Sequence, residues 1–182
     1  MSANPVTYFF AIFPNALERD QTHATAALLK DGLGLRGSLS PPSKLHLTCH
    51  FVTRTAAVDP DLERALIDVG DAVRADPFDL VLTTAITFDG EGRVPSVLIP
   101  DAEPGALTDL VTALAAGTSV HVAAEPRDYR AHVTFLRGKD RIFTSMPITP
   151  VVWQARAFVL AAGVPGERDY RIVREWALAR LN

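Results

Sequence analysis

Apolar residues in this chain fall into two spacings, and the changes between them mark its elements. Val6-Thr7-Tyr8-Phe9-Phe10-Ala11-Ile12-Phe13 is rich in aromatic and β-branched residues and reads as a buried strand, ended by Pro14-Asn15. Ala16 to Lys30 reads as a helix, with Ala16, Leu17, Ala24, Ala27 and Leu28 near helical spacing. Gly32, Gly34, Gly37 and Pro41-Pro42 mark a long loop leading into a strand over 44–52. Asp59 caps a second helix that opens at Pro60 and runs to about Arg74. Phe78 to Phe88 alternates as a strand. Asp89-Gly90-Glu91-Gly92 turns the chain, and Val94 to Ile99 pairs back as a hairpin. Pro104 starts a third helix that reaches about Ala116, and Val120 to Ala124 reads as either strand or loop. Strands follow at about Arg130 to Arg137, Val151 to Ala161 and Tyr170 to Leu178, the last after the turn Gly163-Val164-Pro165-Gly166.

This order predicts an α+β fold with mostly antiparallel sheet, in one domain over 1–182. At 182 residues, 48% hydrophobic and 21% charged, the chain is long enough for one well-buried core. A net charge of −3 argues against a protein that coats long nucleic acid by releasing counterions. It leaves room for recognition of a single phosphate or a strand end. The single cysteine, Cys49, forms no internal disulfide and fits a reducing compartment. The first residues lack the basic start and apolar run of a signal peptide, and Val6 to Phe13 is too short to span a bilayer. A soluble, cytoplasmic protein is expected.

The candidate chemistry sits in a short pattern written twice. His46-Leu47-Thr48 and His132-Val133-Thr134 each lie in an apolar run, 86 positions apart. In a strand, residues two apart share a face, so each triplet presents an imidazole beside a hydroxyl while Leu47 or Val133 points into a core. Two such strands together give two imidazoles for acid–base work and two hydroxyls for a phosphate. His50 shares the first face if that strand is regular. Arg127, Arg130, Arg137, Lys139 and Arg141, offset by Asp128 and Asp140, make the second motif a steering site for an anion. Arg137 is the candidate for direct contact, although strict alternation puts it on the wrong face, so contact requires a bulge or strand end. Tyr8, Phe9 and Phe10 are candidates for base stacking, with at least one of the three expected in the core. No metal is expected, because His46 and His50 lie on a strand without an acidic neighbour. His23 and His121 have no motif around them and read as surface residues.

The paired triplets and their flanks resemble the two-histidine (2H) phosphoesterases. Within that superfamily they are most similar to the RNA 2',3'-cyclic phosphodiesterases, also called the 2'-5' RNA ligase family. The similarity runs from Tyr8-Phe9-Phe10-Ala11-Ile12-Phe13-Pro14 through Leu45-His46-Leu47-Thr48-Cys49-His50-Phe51, Arg93 and Arg137 to Trp153, Phe158-Val159-Leu160, Tyr170-Arg171-Ile172-Val173 and Trp176-Ala177-Leu178. Three departures stand out. Leu160-Ala161-Ala162-Gly163 lacks the family's serine, Val52-Thr53 replaces Leu-Gly, and Ala131 replaces proline before the second histidine.

The resemblance implies a bilobal fold, with two mostly antiparallel sheets facing a central cleft, helices outside and a rough two-fold between lobes. It also implies hydrolysis of a ribose 2',3'-cyclic phosphate, on an RNA end or a nucleotide, to a 2'-phosphomonoester, with 2'-5' ligation as the reverse reaction. His46 and His132 would be catalytic. By that analogy His46 protonates the 3'-oxygen and His132 activates water, while the residues alone leave the order open. Thr48, Thr134, Arg137, His50 and Phe9 would bind substrate. A monomer that needs no cofactor and no metal, and binds no membrane, is expected. The alternatives are a 2H enzyme for another cyclic or 2'-5' linked nucleotide, and a binding module that kept the fold without turnover.

Overall fold

A computed structural model of the chain describes residues 5–88, 94–123, 128–138, 140, 142 and 145–179. The elements run β1 (Val6–Ile12), α1 (Ala16–Gly32), β2 (Gly37–Leu39), a 3-10 turn (Pro42–Lys44), β3 (Leu47–Thr55), α2 (Pro60–Ala72), β4 (Phe78–Thr87), β5 (Val94–Pro100), α3 (Gly105–Thr118), β6 (Val133–Gly138), β7 (Met146–Ala155), β8 (Ala157–Gly163) and β9 (Arg171–Ala177). The strands form one open path, β7-β4-β5-β6-β3-β1-β8-β9, with β2 also on β6. Every described pairing is antiparallel. The two expected sheets are the halves of this path. They meet where β3 touches β6, at the single pair Leu47↔Val133.

The caps follow local chemistry. Asn15 and Glu18 form a capping box at the start of α1, and Asp59 accepts from the Asp61 and Leu62 amides ahead of α2. The inward face of α1 differs from the expected one. Leu17 and Leu28 are 78% and 75% exposed, and the buried face is Glu18, Thr22 and Ala26. That polar face fits its neighbour: Thr22 Oγ1 accepts from the buried Trp153 indole at 2.9 Å, and Glu18 accepts from the Gln154 amide at 2.6 Å. Two hydrogen bonds to β7 replace the apolar contact that periodicity suggests.

The strand expected over Val151–Ala161 is two strands. The chain leaves β7 at Ala155, where that strand pairs with β4, and enters β8 at Ala157, which pairs with β1 and β9. Arg156 sits at the switch, its guanidinium donating to the Phe78 and Ala155 carbonyls. Val120–Val122 is a turn on the end of α3, held by the His121 and Val122 amides on the Thr118 carbonyl. The expected turn over 89–92, and Arg93, Arg127, Lys139 and Arg141, lie outside the described residues. No helix among the described residues is long and apolar enough to cross a membrane.

Candidate active site at the seam of the two halves

The seam sets the geometry. Around Leu47↔Val133 the antiparallel register carries His46 opposite Thr134 and Thr48 opposite His132. Leu47 and Val133 are fully buried, and the four residues beside them are partly exposed on the other face. The imidazoles therefore occupy one diagonal of a quartet and the hydroxyls the other. Each end of the quartet opens into a cavity. One, of about 420 Å³, holds His46, Thr134, Arg137, Lys44 and Tyr170. The other, of about 290 Å³, lies between β3 and the segment before β6 and holds Thr48, His132, His50 and Arg130.

Both imidazoles are held the same way. His46 Nδ1 lies 2.8 Å from the Lys44 carbonyl and His132 Nδ1 lies 2.7 Å from the Arg130 carbonyl. A carbonyl only accepts, so each Nδ1 carries the hydrogen and each neutral ring keeps its lone pair on Nε2. The ring of His46 is packed by Phe9 at 5.2 Å, Phe13 at 5.7 Å and Tyr170 at 5.2 Å between centroids. His132 meets the edge of Phe88 at 4.8 Å, and Arg130 lies over Phe88.

Arg137 reaches this face because β6 bulges. Thr134 pairs with Val97 and Leu136 with Ser96, so Phe135 is an extra residue against β5 and the alternation resets after it. Asp140, one of the acids expected to offset the basic run, is paired with Arg36 at 2.8 Å.

Two expected contacts are placed differently. Cys49 is extra against β1, which brings Thr48 opposite Ala11 but His50 opposite Phe10, and His50 Nε2 meets Thr118 Oγ1 on α3 at 2.8 Å. His50 thus lines the second cavity with its ring nitrogen already engaged. Tyr8, Phe9 and Phe10 are 0%, 5% and 0% exposed, so none offers a free face for stacking. Phe9 instead supports the His46 ring.

No family model and no curated protein sequence matches the chain, whereas its fold matches solved structures along nearly its whole length. The apo crystal structure of Escherichia coli LigT superposes with a TM-score of 0.77 at 25% identity, covering 98% of this chain and 100% of that one. The LigT complex with 3'-AMP gives 0.79 at 24% identity, covering 97% and 99%. TT0787 of Thermus thermophilus gives 0.73 at 20% identity, covering 94% and 97%. The chain has the two-histidine phosphoesterase fold.

Within this 2H fold the electrostatics are unequal. Burial, opposed by the Lys44 carbonyl and reinforced by the charges of His132 and Arg137, lowers the pKa of His46 to about 4. Burial also lowers His132, with the Arg130 carbonyl opposing and Arg137 and Arg130 reinforcing. Both rings are therefore neutral near pH 7 in the unliganded protein. Lys44, Phe13, Phe88 and Tyr170 escaped the sequence reading. One signal for Lys44 was present: Lys44-Leu45-His46 and Arg130-Ala131-His132 share a basic residue two before each histidine, whose carbonyl orients the ring. Glu103 was also missed, and its Oε1 accepts from the Ala131 amide at 2.6 Å.

Among the described residues no three His, Cys, Asp or Glu side chains gather as a metal site.

Proposed function

We propose that this protein opens ribose 2',3'-cyclic phosphates, on an RNA end or a nucleotide, to 2'-phosphomonoesters without a metal. The observation that carries the reading is the diagonal of two imidazoles, each with Nδ1 tied to a carbonyl and Nε2 left for substrate. His132 Nε2 takes a proton from water as the water oxygen attacks phosphorus. The bond from phosphorus to the 3'-oxygen breaks, and His46 gives that oxygen its proton, leaving a 3'-hydroxyl and a 2'-phosphate. The choice of His46 as the acid follows the family's order, and it requires His46 Nε2 to carry a proton once substrate is bound. Thr48, Thr134 and Arg137 face the non-bridging oxygens, where charge grows in the transition state. The bound phosphate's own charge offsets Arg137 and allows one ring of the pair to be protonated. If an RNA 5'-hydroxyl replaces water as the nucleophile, the same steps give a 2'-5' linkage. Abundant water favours hydrolysis.

The test is turnover of 2',3'-cyclic AMP and of a short RNA ending in 2',3'-cyclic phosphate, with EDTA present, and identification of the product isomer. Each of His46→Ala and His132→Ala is expected to lose at least about 10²-fold in kcat. Full activity in either variant, or dependence on a divalent metal, sinks the mechanism. No turnover by the wild type would leave a nucleotide-binding module as the better reading.

A further inference from the structure

Alternation along β1 divides its aromatic run between two faces. Tyr8 and Phe10 belong to the main core, whereas Phe9 and Ala11 form a separate cluster on the cleft side with Val159 and Ala161, closed by Phe13 and Tyr170. The ring of Tyr170 stands edge-on to both Phe9 and His46, at 5.0 and 5.2 Å between centroids. Tyr170 itself precedes β9, at the end of an exposed stretch over 165–169.

On the core side of the sheet, one carboxylate grips the chain neighbours of both aromatics. Glu63, in the first turn of α2, accepts from the Tyr8 hydroxyl at 2.7 Å and from the Arg171 guanidinium through both oxygens. Tyr8 is fully buried, and its hydroxyl also takes the Asp59 amide at 3.0 Å, so the phenol serves as donor and acceptor. Against the penalty of burial, the hydrogen bonds from Arg171 and Tyr8 hold Glu63 below the usual carboxylate range and keep it charged. Tyr8 immediately precedes Phe9, and Arg171 immediately follows Tyr170. A residue pinned on one face of the sheet fixes the backbone from which its neighbour leaves the other face. Asp169, on the other side of Tyr170, accepts from Ser43 in the turn ahead of His46.

We infer that Glu63 is a positioning residue for the proposed cyclic phosphodiesterase reaction, on which the inference rests: through Tyr8 and Arg171 it holds Phe9 and Tyr170 against the His46 ring. Without that grip the two aromatics loosen, water reaches His46, and the imidazole loses its fixed approach to the phosphate. The charged groups near Glu63 are Asp59, Arg171 and, beyond Arg171, Glu167. His46 is faced by His132 and Arg137 from the β6 side, with the Lys44 ammonium over the Tyr170 ring. Deleting the Glu63 charge acts on His46 in the opposite sense to opening its cage. Loss of a carboxylate lowers an imidazole's pKa, whereas hydration of a buried ring raises it, so the sign of the change separates the two.

The experiment follows the histidine ring protons by NMR from pH 7.5 to 4.5, with His46→Asn assigning the His46 signal, and measures kcat and KM on 2',3'-cyclic AMP. Glu63→Ala is compared with Glu63→Gln, which keeps one acceptor oxygen, and with Val69→Ala, which loosens the same helix where it packs on Gly117 of α3. In Glu63→Ala the His46 midpoint should rise from about 4 by at least about 1 pH unit, with the His132 midpoint moving less. The optimal kcat should fall by about tenfold with KM little changed, because Thr48, Thr134 and Arg137 are untouched. Glu63→Gln should show a smaller change of the same kind, and it carries the test if Glu63→Ala does not fold. An unmoved or lowered His46 midpoint, an equal rise in Val69→Ala, or a rise with unchanged kcat overturns the inference, and in those outcomes the cyclic phosphodiesterase reading stands. If the wild type turns over no cyclic phosphate, the proposed function fails, and the titration still decides whether Glu63 holds the cage.

Discussion

The depressed pKa of His46 makes a stability prediction that needs no substrate. In the unfolded chain its imidazole titrates near 6.5, whereas in the folded protein burial, reinforced by His132 and Arg137, holds it near 4. Between those values the unfolded state binds a proton that the folded state refuses, so stability falls as pH falls. The loss begins near 6.5, proceeds at about 1.4 kcal/mol per pH unit, and levels off below about 4. A gap of about 2.5 pH units amounts to about 3 kcal/mol, a large share of an ordinary domain's stability. The perturbation is His46→Asn, which removes the titration while keeping an amide N–H near the Lys44 carbonyl. Urea unfolding followed by the fluorescence of buried Trp153 at pH 7.5, 6, 5 and 4.5 gives the free energies. Other groups titrate in both proteins and largely cancel in the difference. The wild-type advantage or deficit at pH 7.5 should shift by about 2 kcal/mol toward the variant by pH 5. Parallel curves for the two proteins refute the burial argument.

Two further predictions concern the working site. Because both imidazoles are depressed, the bell in kcat/KM should peak below pH 6, and its two apparent pKa values belong to the pair. Arg137→Gln removes a charge that opposes protonation of both rings, so both limbs should move to higher pH even as KM rises; an optimum above 7, or an unmoved bell, contradicts the electrostatics. Glu103→Ala leaves the buried Ala131 amide without its acceptor and should cost about 1–3 kcal/mol in stability and lower kcat through His132. Glu103→Gln keeps an acceptor oxygen and should rescue both, and a melting temperature unchanged in Glu103→Ala counts against the clamp.

Much of this arrangement was legible because it depends on short-range chemistry. The two His-x-Thr triplets, the Asp59-Pro60 helix start and the strands around Val6, Phe78 and Val94 all follow from local periodicity and caps. The misses share another cause: each was decided by a partner distant in sequence. Glu18 and Thr22 face inward because Gln154 and the Trp153 indole need acceptors. Phe9 is buried because Tyr170 and His46 close over it. His50 turns to Thr118 because Cys49 is an extra residue against β1. The reach of Arg137 was legible only as a condition, that the strand must bulge, and the bulge at Phe135 meets it.

The same contrast bears on how two nearly identical motifs come to have different surroundings. Backbone geometry treats them alike: basic residue, apolar residue, histidine, apolar residue, threonine, with the same carbonyl contact from each imidazole. What differs is what packs around them. His46 is enclosed by Phe9, Phe13 and Tyr170, whereas His132 meets Phe88 and opens beside Arg130 and Asp128. Desolvation is therefore deeper at His46, and the cations Lys44 and Arg137 gather on its side. A two-fold pair of motifs thus supplies two interchangeable nitrogens, and the flanking aromatics and charges make them unequal. On that reasoning, opening the His46 cage should erode the difference between acid and base without displacing either imidazole from its carbonyl.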